Sequence, residues 1–445
     1  MASDLLSIAK SGAAAARTAL DLTAQNIANA SSEGYVRRTV SVAELGANSV
    51  GSAPAQVNLA GVRVNGVVRN ADIFRQAEVR RTGADASRAA AEVQGLENIE
   101  SAVEQTGVYD SIVAFEGSLQ QLASDPTDGS LRAAVLEQAR TMSETFNVAS
   151  SSLDAAAKGL QFEAGSGVDE VNRIAGELAR VNLRLARASD ASSDQTTLLD
   201  QRDSLLEQMS KYANVDTTYN ADKTVTVTIG GTAGQTMVSG GAASTLAMAT
   251  AADGTISFTL DGNAAAISSG SLAGKSQALT QLSSTRGQLD AVAGKIINVV
   301  NTAQANGVDL NGNTGQPIFS GTGAGDIAMI ASNGSAIATA SAGAGANSRD
   351  PANLVQMRKD LASADPASDM DTLLFTISSS VAGRKVTSDA LNSIASTAKV
   401  ALQAQTGVNL DEEAVSLVRY QQAFQANGRV MQVASDIFSS ILNIR

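Results

Sequence analysis

Near the end of the chain, apolar residues recur alternately three and four positions apart. Leu417, Tyr420, Phe424, Met431, Ala434, Phe438 and Ile441 keep this count, with Asn427 holding its place among them. Val430, Ile437 and Ile444 widen the stripe. The pattern predicts a helix over 409–445 with a coiled-coil seam. A matching seam near the start, Leu5, Ile8, Gly12, Ala15, Ala19 and Leu22, predicts a helix over 3–28. Two amphipathic helices at the two ends must bury their stripes, and the expected partners are each other and further copies of the chain.

Between the ends the pattern changes period several times. Residues 36–70 alternate as strands, in Thr39-Val-Ser-Val and in Val62-Arg-Val-Asn-Gly-Val-Val. Helices are expected over 71–105, with Leu96, Ile99 and Val103 on one face, and over 109–123. A long seam then runs from Val135 through Ala139, Met142, Phe146, Ala149, Leu153, Ala156 and Leu160. It keeps its phase across Gly165 and Gly167 to Val171, Ile174, Leu178, Val181 and Leu185, which predicts one long helix over 130–188. Another helix is expected over 195–212. Thr224-Val-Thr-Val-Thr-Ile and Gly254-Thr-Ile-Ser-Phe-Thr-Leu mark residues 215–270 as β-rich. Helices resume at 271–306, 370–405 and 409–445. The Gly-, Ala-, Ser- and Asn-rich stretch 307–348 has little period and reads as a long surface loop.

The expected fold class is mainly α: terminal helices forming a coiled coil, a long-helix bundle and a small inserted β-rich domain. The expected division is 1–35 with 406–445 as the terminal coiled coil. Residues 36–213 with 271–405 form the bundle, with a β-hairpin near 36–70, and 214–270 the outer β domain.

Composition narrows the chemistry. The 445 residues contain no Cys and no His, so thiolate metal sites and disulfides are absent, as are the commonest general base and metal ligand. A net charge of −12 argues against nucleic-acid binding through phosphates. Aromatics are 3 % and Trp is absent, which disfavours stacking platforms. Neither a secretory signal peptide nor a membrane-spanning run of about 18 apolar residues is expected. Taken alone, that points to the cytoplasm.

Four short motifs can be weighed for chemistry. Asp309-Leu-Asn-Gly-Asn begins like a calcium loop, but Thr314 and Ser320 stand where Gly and Glu belong, so a turn is the better reading. Gly321-Thr-Gly-Ala-Gly is half a phosphate loop without its flanking strand and helix. Asp411-Glu412-Glu413 fits a helix start, with Asn409 as N-cap and Glu412 completing a capping box. Asp200-Gln-Arg-Asp203 interrupts a leucine-rich helix, where Arg202 is expected to pair with Asp203 or with Asp200 on the solvated side, a buried Arg site being the less favoured alternative. No catalytic residue, metal or cofactor is expected.

Asn26-Ile-Ala-Asn29-Ala-Ser-Ser-Glu-Gly34-Tyr35-Val-Arg37 resembles the N-terminal signature of the axial proteins of the bacterial flagellum. The match lies in Asn26, Asn29, Gly34, Tyr35 and Arg37. Ser32 stands where Thr or Val is usual, and Val36 where Thr or Ser is usual. Gly407-Val-Asn-Leu-Asp-Glu-Glu-Ala-Val, Gln421-Gln-Ala-Phe-Gln-Ala-Asn, Leu198-Leu-Asp-Gln-Arg-Asp-Ser-Leu-Leu and Asn306-Gly-Val-Asp-Leu-Asn-Gly narrow the resemblance to the hook-associated protein 1 family.

The resemblance implies a non-enzymatic adaptor that joins hook to filament outside the cell, exported without a cleaved signal peptide. It implies assembly with itself in a ring and contacts with hook protein and hook-associated protein 3. It also implies an export chaperone at the C-terminal region, and neither nucleic-acid binding nor membrane insertion. The inner contacts are then expected from Leu5, Ile8, Ala15, Leu22, Leu417, Tyr420, Phe424, Met431, Phe438 and Ile441. Another axial protein of hook or distal-rod type is the alternative, which absence of the helix 130–188 would favour. A soluble enzyme or binding module using the 307–348 loop is the rival from a different class.

Overall fold

The computed structural model describes residues 2–32, 34–46, 59–189, 192–231 and 234–442. Its helices are α1 (Ala2–Ala28), α2 (Ile73–Glu104), α3 (Val108–Leu122), α4 (Gly129–Leu185), α5 (Ser193–Ser210), α6 (Ser271–Ala305), α7 (Ala352–Ala364), α8 (Pro366–Thr406) and α9 (Leu410–Leu442). The longer strands are β1 (Arg38–Gly46), β2 (Leu59–Arg69), β3 (Val215–Tyr219), β4 (Val225–Ile229), β5 (Gln235–Ser239), β7 (Leu246–Thr250) and β8 (Ile256–Leu260). Two-residue strands are β6 (Ala242–Ala243), β9 (Asn263–Ala264), β10 (Gly307–Val308), β11 (Phe319–Ser320), β12 (Ala328–Met329) and β13 (Ala340–Ser341). The chain is mainly α, as its periodicity predicts.

Helix α4 is one unbroken helix of 57 residues. Its predicted seam is buried from Val135 to Leu185, including the stretch around Gly165 and Gly167, with Ala157 rather than Ala156 at the buried position. Its start is set by Asp128, whose Oδ1 accepts from the backbone N–H groups of Ser130 (2.7 Å) and Leu131 (2.9 Å). Asp72 Oδ1 does the same for α2, and Ser192 Oγ for α5.

The chain divides into two compact units. One comprises 1–84, 171–245 and 392–445; the other comprises 85–170 and 246–391. The sequence grouped 214–270 by element type, but contact groups it differently: β3–β6 fall in the first unit and β7–β9 in the second.

In the first unit, β3-β4-β5-β6 form an antiparallel sheet. Val225, Val227 and Ile229 alternate inward, as Thr224-Val-Thr-Val-Thr-Ile predicts. Asn182 of α4 fastens the sheet: its Nδ2 donates to the carbonyls of Val225 (2.8 Å) and Gly240 (3.0 Å), and its Oδ1 accepts from Val225 N (3.0 Å). The β1–β2 hairpin lies against α1, where Val62 N donates to Ser11 Oγ at 3.2 Å.

In the second unit, β7-β8-β9 form a separate sheet, held by Gln161 Nε2 donating to Gly254 O at 2.8 Å. The stretch 307–348 corrects the surface-loop expectation. Val308, Ile318, Phe319, Ala324, Ile327, Ile337, Ala338 and Ala340 are buried. Phe319 meets Phe115 of α3 edge-on, with ring centroids 5.7 Å apart. Side chains from neighbouring helices satisfy the backbone that the short strands leave unpaired. Asn301 Oδ1 accepts from Ile318 N (3.0 Å) and Phe319 N (3.1 Å), and Gln304 Oε1 from Ala338 N (2.9 Å).

The two loop motifs are filled by the chain's own carboxylates. Asp309 Oδ1 accepts from Asn311 N (2.9 Å) and Asn313 N (2.8 Å), which makes the calcium-like stretch a turn. In the glycine-rich loop, Asp326 Oδ1 accepts from Thr322 N and Gly323 N, each at 2.8 Å, and Asp290 Oδ1 from Ala324 N at 2.8 Å. The N–H groups a phosphate would need are therefore already occupied. Those bonds from Thr322 and Gly323 hold the Asp326 carboxyl below its ordinary value.

Candidate assembly site at the paired termini

Helices α1 and α9 pack on each other in the first unit. Asn26 of α1 touches Glu413 of α9. Fourteen residues back along α1, Gly12 faces Asn427, fourteen residues forward along α9. The pair is therefore antiparallel and in step. At Gly12 an added Cβ would sit 2.7 Å from Asn427 Oδ1, so glycine permits this approach.

Small residues form most of the α1 seam. Ala9, Ala13, Ala16, Ala19 and Leu22 are buried, as is Ala434 opposite. Of the positions expected to carry inner contacts, Leu22 is buried, Ile8, Ala15, Leu417, Tyr420 and Met431 are half-buried, and Leu5, Phe424 and Phe438 are exposed. Ile444 lies outside the described residues, as does the side chain of Ile441. The alanines bring the helices close and leave larger side chains at the margins. Beyond that seam, α9 exposes Leu410, Val415, Val418, Val430, Val433 and Ile437.

The motif residues converge where α1 ends and α9 begins. Asn26 is 1 % exposed. Its Nδ2 donates to Arg38 O (2.9 Å) and Glu413 Oε2 (3.2 Å). Its Oδ1 accepts from Tyr35 OH (2.9 Å) and Arg38 N (3.1 Å), so the amide is fully used. Arg37 Nε donates to Glu413 Oε1 at 2.6 Å. Arg37 N donates to Thr406 O at 2.9 Å, and Asn70 Nδ2 to Gln405 O at 2.8 Å, so this segment also takes up the last carbonyls of α8. Asn29 closes α1 by donating from Nδ2 to Gln25 O at 2.9 Å. Gly34 adopts φ 78°, the left-handed turn that swings the chain from α1 into β1. Tyr35 lies under the Arg38 guanidinium, 5.1 Å from ring centroid, and burial pushes its phenol up.

Asn409 Oδ1 accepts from the backbone N–H groups of Asp411 (3.0 Å) and Glu412 (3.5 Å). Among the described residues Asn409 N does not donate back to the Glu412 carboxylate. The buried acid of this turn is the next one, Glu413.

A second charged layer lies beside the motif. Arg38 Nη2 donates to Asp200 Oδ2 at 2.7 Å. Arg69 Nη2 lies 2.7 Å from Asp200 Oδ1 and 2.8 Å from Asp203 Oδ2. Gln76 Nε2 donates to Asp203 at 3.0 Å. Arg202 grips Asp203 Oδ1 through Nε (2.9 Å) and Nη2 (2.7 Å), donates to Lys223 O, and stacks 4.7 Å from the Tyr219 ring centroid. The Asp200-Gln-Arg-Asp203 interruption thus resolves into a buried ion network. Its signal in the sequence was three charges inside a leucine-rich helix; their partners Arg38, Arg69 and Gln76 left none.

Burial pushes the Asp200 carboxyl up, against the pull of Arg69 and Arg38. Burial opposes ionisation of Asp203 too, but Arg202 and Arg69 outweigh it and hold that carboxyl low. The stability tied to Asp203 is therefore present above the unfolded carboxylate value of about 3.9 and lost as pH falls through the lower folded value. Asp200 works in the opposite sense, since its protonated form is favoured in the fold. The thermal midpoint of Asp203→Asn should consequently fall less steeply than that of the parent between about pH 5 and pH 3. Parallel acid limbs in circular-dichroism melts would remove Asp203 from the account.

Among the described residues no three His, Cys, Asp or Glu side chains are placed to hold a metal ion, and no helix is long and apolar enough to cross a membrane. The arrangement can pair helices and fix the turn between α8 and α9.

Comparison with known proteins gives consistent results. The family pattern described as flagellar hook-associated protein FlgK helical domain matches residues 93–319. That described as flagellar basal body rod FlgEFG protein C-terminal matches 403–444. The chain is 27 % identical to flagellar hook-associated protein 1 of Escherichia coli (strain K12), over 100 % of both chains. It is 25 % identical to the Bacillus subtilis (strain 168) protein of that name, over 98 % of this chain and 97 % of that one. For the Salmonella typhimurium protein the identity is 30 %, over 72 % of this chain and 59 % of that one. The solved structure of the flagellar hook junction protein FlgK from Burkholderia pseudomallei aligns with a TM-score of 0.49 at 22 % identity, over 55 % of this chain and 46 % of that one.

Proposed function

The chain belongs to the flagellar hook-associated protein FlgK family, whose helical-domain pattern spans just over half of it, and from that premise we propose that it is the adaptor joining hook to filament. The observation that carries this reading is the terminal pair. One seam of α9 is spent on α1, while Val415 (70 % exposed) and Val433 (57 % exposed) stand outside it. Apolar residues exposed along a helix are a surface for further helices. Copies of the chain packing through that surface form a ring, with hook protein on one side and hook-associated protein 3 on the other.

Members of this family are structural parts of the flagellum, and the role proposed here needs no catalysis. The chain leaves the cell unfolded and without a cleaved signal peptide. A chain without Cys cannot cross-link on the way. Before assembly the apolar C-terminal stripe is an aggregation hazard, which gives an export chaperone a physical task there. The basal-body-rod pattern at 403–444 is the observation favouring the second reading, a rod or hook component. Helix α4 and the helical-domain match weigh against it.

The test is electron microscopy of cells lacking the gene. Hooks without filaments, with flagellin shed into the medium and filaments restored by the intact gene, are the expected result. Normal filaments in the deletion strain would end the adaptor reading.

A further inference from the structure

An alanine seam does not define its own alignment. Ala9, Ala13, Ala16 and Ala19 offer similar surfaces at each turn of α1, so sliding α9 along them exchanges one small contact for another except at Gly12, which admits Asn427. Among the described side chains of α9 two are buried, Ala434 and Glu413. The first is one more alanine. The second is a carboxylate, 2 % exposed, whose partners Asn26 and Arg37 both come from the N-terminal segment.

We infer that Asn26, Arg37 and Glu413 form a register key that selects one alignment of the terminal helices and selects pairing within a chain over pairing between chains. Shifting α9 by a heptad takes Glu413 away from both partners and leaves the Asn26 Nδ2 group without one of its acceptors. A polar side chain at a buried seam position sets register because the misaligned state leaves it unsatisfied. The key also has a fixed seat. Arg37 N and Asn70 Nδ2 hold the last carbonyls of α8, so the turn leading into α9 is tied to the segment that carries Arg37. A terminal helix from another copy would reach Asn26 without that tether. The inference concerns one chain and stands whether or not the adaptor reading does.

The chain has no cysteine, so an engineered pair supplies the only thiols. In the full-length protein, Gly12→Cys with Asn427→Cys reports the observed alignment. Gly12→Cys with Ala434→Cys reports a slide of one heptad. After mild oxidation the first pair should close within the chain and the second should not. Hydrogen bonds to charged groups are worth about 1.5–3 kcal/mol, so Glu413→Gln should lower the ratio of native to slid cross-link on the order of tenfold or more and raise the interchain product. Arg37→Met, which leaves the carboxylate in place without its cation, should shift the ratio the same way. Asp411→Asn, which removes a first-turn charge outside the key, should not. An unchanged ratio in both key variants overturns the inference. So does an equal fall of both cross-links, which would mean that the three residues stabilise the pair without choosing its alignment.

Discussion

Replacing Arg132 with Ala should lower the stability of the second unit by about 3–5 kcal/mol, because its guanidinium is the donor for several buried acceptors and its removal leaves a void. Arg132 is 1 % exposed, and among the described residues no carboxylate lies within hydrogen-bond reach of it. Its guanidinium donates to the carbonyls of Pro126 (2.6 Å), Gly334 (3.0 Å) and Ile337 (2.8 Å) and to Thr339 Oγ1 (2.8 Å). Burial pushes it below its ordinary value, and Asp309 offsets part of that. The carbonyls of Pro126 and Ile337 lose this donor, while Gly334 O keeps the Ile337 N–H at 3.3 Å, and a buried acceptor without a donor costs about 1–3 kcal/mol. The void left by the side chain adds to this. Arg132→Met fills the space but does not replace the donor to Pro126 O and Ile337 O, so it should recover only a minor part. For a unit of this size the midpoint should drop by roughly 10 °C. A shift under about 1 kcal/mol in denaturant unfolding would show that water replaces the guanidinium at these carbonyls.

Phe424→Asp should abolish filament attachment while leaving the isolated chain's melting profile unchanged. Phe424 stands at the margin of the α1–α9 seam and is 43 % exposed in the single chain, so an aspartate there keeps water contact. If the terminal helices of neighbouring copies pack around that position, the substitution loses about 1.5–3 kcal/mol of apolar burial. It also buries an unpaired carboxylate, at several kcal/mol more or by forced protonation. In the proposed ring the penalty would repeat in every copy. Motility plates and electron microscopy, read beside the melt, check it. Wild-type filaments would mean that this margin of α9 faces solvent in the assembly. A lowered melt would mean that Phe424 serves the single chain instead.

Legibility followed the range of the interaction. The seam from Val135 to Leu185 was visible because helix burial repeats locally, every three or four residues. The strands at 225–229 were visible for the same reason, with a period of two. The motif around Asn26 and Gly34 marked the end of α1, but nothing nearby named its partners. Glu413 is 387 residues from Asn26, and Asp203 is 134 residues from Arg69. The acidic triplet 411–413 read as a helix start, and Asn409 does cap it. Which of the three acids turns inward depends on where the N-terminal segment lies.

The sequence by itself determined the described helices other than α7, their long extent, the absence of thiol and imidazole chemistry, and the flagellar signature. These rest on residue identity and on spacings that one element contains. The tertiary structure decided the rest. It decided that 307–348 is tied down with its apolar residues buried, because helix side chains distant in sequence satisfy parts of its backbone. It decided that 214–270 is two sheets, because each is fastened to a different stretch of α4, one at Asn182 and the other at Gln161. It decided that Glu413 carries the terminal clamp, because only packing brings its carboxylate to Asn26 and Arg37.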